Sequence, residues 1–104
     1  MARRPSYFSQ TYPFSCVPAC IRMVLSAYDV EMAESTLREL CKCDLTGTTP
    51  RNAVNAAKTL GFDDSYSANL EVNELKELLL TEIFPIVYLR LPNSDCHAVV
   101  LTAF

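Results

Sequence analysis

Cys16 stands where an aromatic, proline-punctuated arm gives way to a helical pattern, and no other position in the chain is better placed for covalent chemistry. A thiol attacks only as the thiolate, and the unpaired N–H groups and positive dipole end of a helix N-terminus favour the anion. Val17, Cys20, Ile21, Val24, Leu25 and Tyr28 recur at the spacing of one apolar helical face. Pro18 fits a first turn, where its missing N–H is an orphan anyway. The spacing therefore predicts a helix over residues 16–28 with Cys16 at its mouth. The natural complement to such a thiol is a general base, and the chain has a single histidine, His97. On its own, a histidine that opens a strand beside a turn has an ordinary structural reading.

The elements that must bring these groups together are legible in outline. Pro13 keeps the arm, residues 5–14, out of a helix, and Gln10 sits within it. A second helix is expected over residues 33–41, with Leu37, Leu40 and Cys41 on one side and the pair Glu34 and Arg38 on the other. Thr49 followed by Pro50 is a start signal, and Gly61 after Leu60 the matching stop. The inner face of this third helix is read as Ala53, Val54, Ala57 and Leu60. Residues 62–68 alternate loosely, which suggests a short edge strand. Asn73 is expected to cap a fourth helix with Leu75, Leu78 and Leu79 inward. Residues 85–91 are β-branched and aromatic with proline only at the first position, so they read as a strand. Turn residues 92–95 separate it from a second apolar strand that opens on Cys96 and His97. Helices first and an antiparallel hairpin afterwards give an α+β domain, N-terminal helices packed on a small antiparallel sheet.

Composition narrows the function. A chain of 104 residues, half of it apolar and a fifth charged, is one domain spanning residues 1–104. Net charge is −3 and the basic residues are scattered apart from Arg3 and Arg4, so no nucleic-acid partner is expected. No apolar run reaches the length of a membrane span, and the N-terminus lacks the apolar core of a signal peptide, so the expected compartment is cytoplasmic. Five cysteines, an odd number without a secretory signal, argue for reduced thiols, with Cys20 and Cys41 serving as packing residues. A zinc site built from Cys41, Cys43, Cys96 and His97 with Cys16 and Cys20 would need knuckle spacings that the chain does not show, so neither metal nor cofactor is called for.

Gln10 and, five intervening residues later, Cys16 with Pro18, Ala19 and Cys20 behind it begin a longer pattern. It continues through Gly47 and Thr48, then Leu60, Gly61 and Phe62, then Pro85, Ile86 and Val87, and closes on His97, Ala98, Val99, Val100 and Leu101. Over residues 10–101 this order resembles the papain-like cysteine peptidases that cleave double-glycine leader peptides from bacteriocins. The resemblance implies a papain-like fold, with Cys16 as nucleophile, His97 as general base, and Gln10 with the Cys16 backbone N–H as the oxyanion hole. It also implies a peptide or leader-peptide substrate and association with an ABC transporter. Ser15 and Val17 flank the cysteine where the family usually has Asp and Gly. The family's third catalytic member, an Asp or Asn after the histidine, has no counterpart before Phe104, so the expectation is a stand-alone or truncated domain lacking its C-terminal strands. Asn93 and Asp95 lie near His97 in sequence, Asp95 on its face of the strand. The alternative reading is a catalytically impaired peptide-binding module on the same fold.

Overall fold

The first helix, α1 (Cys16–Ala27), forms where the apolar spacing places it and buries Val17, Cys20, Ile21 and Leu25. The computed structural model describes residues 4–90 and 96–102. After α1 come α2 (Glu34–Leu40), α3 (Pro50–Thr59), α4 (Val72–Leu80), β1 (Ile86–Arg90) and β2 (Cys96–Val100). Helices precede strands, so the architecture is α+β, with a small antiparallel sheet of order β1-β2 among the described residues. Pairing runs from Ile86 opposite Val100 to Arg90 opposite Cys96. The turn residues 92–95, Asn93 and Asp95 among them, lie outside the described residues.

α1 is the hub. It packs against α2, α3, β1 and β2, and the core around it is Val17, Cys20, Ile21, Leu25, Leu37, Cys41, Ala56 and Ala98. Leu37 and Cys41 are fully buried on the inner side of α2 and at its end. α3 starts as its sequence dictates: the Thr49 hydroxyl accepts the Asn52 N–H at 3.2 Å and Pro50 is the first helical residue. Its inward centre is Ala56, flanked by Ala53 and Leu60, which rotates the buried face by one position from the Val54 and Ala57 expected.

The four helices among the described residues end alike. The residue after each C-cap is left-handed: Asp29 at φ 60°, Lys42 at 51°, Gly61 at 99° and Glu82 at 61°. Behind each, paired 6→1 and 5→2 bonds close the last turn, as with Val30 N–H to Leu25 O at 3.0 Å and Asp29 N–H to Ser26 O at 3.2 Å.

Two further expectations fail. Residues 62–68 form no strand; after Gly61 the chain makes a turn, in which the Ser65 N–H bonds the Phe62 carbonyl, so the loose alternation marks a loop. α4 begins at Val72 rather than after Asn73, because Glu74 reaches back to accept the Glu71 N–H at 3.0 Å and sets Glu71 as the cap. Its Leu75, Leu78 and Leu79 are only half-buried, and among the described residues α4 packs on no other helix or strand. No helix among them is long and apolar enough to cross a membrane.

Candidate active site

The mouth of α1 is built by an unusual use of its cap residue. Ser15, fully buried, occupies the N-cap position, yet its hydroxyl makes no capping bond. It turns back into the preceding loop instead, accepting the Tyr12 N–H at 2.9 Å and lying 3.0 Å from the Tyr12 carbonyl and 3.2 Å from Glu34 Oε1. The Ala19 N–H closes on the Ser15 carbonyl at 3.1 Å, and Pro18 has no N–H to satisfy. Cys16 and Val17 are thus the two residues of the first turn whose N–H groups no side chain among the described residues caps. A helix terminus with its donors left open beside a half-buried thiol can stabilise negative charge on sulfur or on an oxygen held next to it.

Cys16, Gln10 and His97 all line one cavity of about 490 Å³, bounded by the N-terminal arm, α1 and β2. Residues of both faces of β2, His97 and Val99 on one and Ala98 and Val100 on the other, border it, so the β2 edge turned away from β1 forms that wall. His97 is half-buried and pairs with Leu89 of β1. One turn below Cys16, the Cys20 thiol donates to the Ala98 carbonyl at 3.3 Å, which fixes α1 against the strand that carries His97. Among the described residues no hydrogen bond joins the Cys16 sulfur to the His97 ring. The Gln10 amide nitrogen donates to the carbonyls of Tyr12 at 2.8 Å and Pro13 at 3.2 Å, so in this arrangement its donors hold the loop.

The other thiols are different in kind. Burial first, and the nearby Cys16 second, push the Cys20 thiol up to about 12, while burial and then Cys43 do the same to Cys41. Both remain thiols at neutral pH, as packing residues should. Cys43 donates to the Phe14 carbonyl at 3.4 Å. Tyr88, whose hydroxyl donates to the Thr48 carbonyl at 3.2 Å, is held above the ordinary phenol range by burial, and next by the Cys16 thiol. No group of three or more His, Cys, Asp or Glu side chains among the described residues could hold a metal ion.

One residue at the site escaped the sequence reading. Glu34 pairs with Arg38 at i, i+4, a spacing that ordinarily marks a solvated helix face. Here Glu34 is 5% exposed, its Oε1 accepts the Thr11 N–H at 2.9 Å, and its Oε2 lies 3.3 Å from Arg38 Nε. The available signal was its place in the first turn of α2, where a carboxylate is favoured by the helix dipole and can reach a neighbouring loop.

Compared with known proteins, residues 4–103 match the Peptidase C39 family. The Mesentericin-Y105 transport/processing ATP-binding protein MesD of Leuconostoc mesenteroides is 32% identical over 77 residues, 73% of this chain and 11% of that protein. The chain therefore spans a small part of the length of the relative it matches. With a match that runs from the arm before Cys16 through the strand that carries His97, the chain belongs to the Peptidase C39 family.

Proposed function

We propose that the chain is a cysteine peptidase unit of papain-like fold that cleaves an extended, leader-like peptide through Cys16 and His97. The observation that carries the reading is the shared cavity, whose lining includes both a thiol in the first turn of α1, with uncapped N–H groups beside it, and the histidine of β2. In the first step the His97 imidazole takes the Cys16 proton and the thiolate attacks the scissile carbonyl carbon. The oxygen's developing charge is met by the Cys16 N–H and by the Gln10 amide, once Gln10 releases the Tyr12 and Pro13 carbonyls. The C–N bond breaks as the imidazolium gives its proton to the leaving amine. Water, deprotonated by His97, then attacks the thioester, the C–S bond breaks, and acid product and free thiol result.

Family membership supports the peptidase chemistry, and the transport and processing role in the relative's name supports a leader-peptide substrate and association with an ABC transporter. The test is a synthetic peptide with two glycines before the scissile bond, followed by mass spectrometry. Cleavage after the glycines by the wild type, and none by Cys16→Ala, is expected; an intact peptide in both contradicts the reading. The engaged Gln10 donors favour a second reading, a module that binds such a peptide without cutting it. Saturable binding with intact recovery would select it.

A further inference from the structure

We propose that Glu34 is a positioning residue for the reaction at Cys16, a role that rests on the peptidase reading above. A buried carboxylate is unfavourable unless its oxygens find partners, and the partners chosen show what it is for. Oε1 takes the Thr11 N–H at 2.9 Å and faces the Ser15 hydroxyl at 3.2 Å. Both groups belong to the loop that leads into the nucleophile, not to the helix that carries Glu34. Ser15 is the residue before Cys16, and by turning toward Glu34 and Tyr12 its hydroxyl leaves the first-turn N–H groups uncapped. Arg38 meets the other oxygen by charge alone, its Nε 3.3 Å from Glu34 Oε2 without a hydrogen bond, and its guanidinium lies 4.6 Å over the Tyr12 ring, which in turn stacks on Phe14 at 5.2 Å. Gln10 grips the same loop through the Tyr12 and Pro13 carbonyls. The loop is thus held at Thr11 and Ser15 by α2 whether or not Gln10 keeps the Tyr12 and Pro13 carbonyls, and the position of the Cys16 sulfur and N–H follows from that hold.

The proposal separates from a general packing role because it assigns the work to an acceptor oxygen. Glu34→Gln keeps that oxygen, Glu34→Ala removes it, and Ser15→Ala removes only the hydroxyl that answers it. Each is checked for folding by circular dichroism. Each is then compared with wild type for kcat and KM on the two-glycine peptide, and for iodoacetamide alkylation of Cys16 at neutral pH, read by mass spectrometry. A misplaced reacting group loses rate rather than affinity, so Glu34→Ala should lose roughly 10- to 100-fold in kcat with KM within about twofold. Its Cys16 alkylation should fall in parallel, and Glu34→Gln should restore most of both. Folded Glu34→Ala with wild-type kcat and alkylation overturns the proposal, as does equal loss in Glu34→Gln, which would assign the effect to the charge on Arg38. If Glu34→Ala does not fold, Ser15→Ala decides: several-fold loss supports the proposal and unchanged rates overturn it. If wild type leaves the peptide uncut, the peptidase reading fails separately and the alkylation comparison alone judges the role of Glu34.

Discussion

The four thiols whose surroundings are described, Cys16, Cys20, Cys41 and Cys43, acquire different chemistry from those surroundings alone. Cys16 and Cys20 are one turn apart on α1 and both border the cavity, yet Cys16 is half-buried while Cys20 is buried and donates to a carbonyl of β2. Native protein treated with iodoacetamide at neutral pH should therefore be modified at Cys16 well before Cys20 and Cys41, which become reactive only in denaturant; peptide mapping over time checks this. At this scale Cys16, His97 and Gln10 could be singled out in the sequence because each has a residue type and position suited to a chemical step, and the fold lines one cavity with all three. Glu34 was not. Its role comes from being buried against a loop 19 to 23 residues earlier in the chain, and an i, i+4 pair looks the same on paper whether it faces water or the interior.

Among the elements, α3 was the best specified because both of its ends carry their own signals, Thr49 with Pro50 and then Gly61. Thr49→Ala removes the hydroxyl that accepts the Asn52 N–H and should lower stability by about 1 kcal/mol in urea unfolding. The other three helix ends were harder to see. Each uses the same left-handed closure, but with Asp29, Lys42 or Glu82 in place of glycine, so the usual stop signal is missing from the sequence. Replacing Glu82 by Gly relieves that backbone strain at an exposed position and should raise stability by up to ~1 kcal/mol, measured in the same way. Residues 62–68 show the reverse error. Their alternation satisfied a strand template, but among the described residues they meet no strand to pair with.

For the whole molecule, the α+β order followed from apolar periodicity changing from helical to extended past residue 85, and the hairpin from the turn chemistry between the two runs. The centrality of α1 has a pH signature. Cys20 and Cys41 ionise near 9 in the unfolded chain and only near 12 when folded, so between those values the unfolded state holds fewer protons and gains relative to the native state. The contribution of these two thiols to stability should be flat below about pH 9 and be lost as pH rises toward 12, and a double Cys20→Ala, Cys41→Ala variant should show a shallower alkaline decline in thermal melts. The most direct test of the central claim, that Cys16 and His97 act as a pair, is the rate of Cys16 alkylation by iodoacetamide at neutral pH in wild type and in His97→Ala. The pair predicts that wild-type Cys16 reacts roughly tenfold or more faster than a free thiol and that His97→Ala returns it to the free-thiol rate. Equal rates in the two proteins, both at the level of a free thiol, would contradict it.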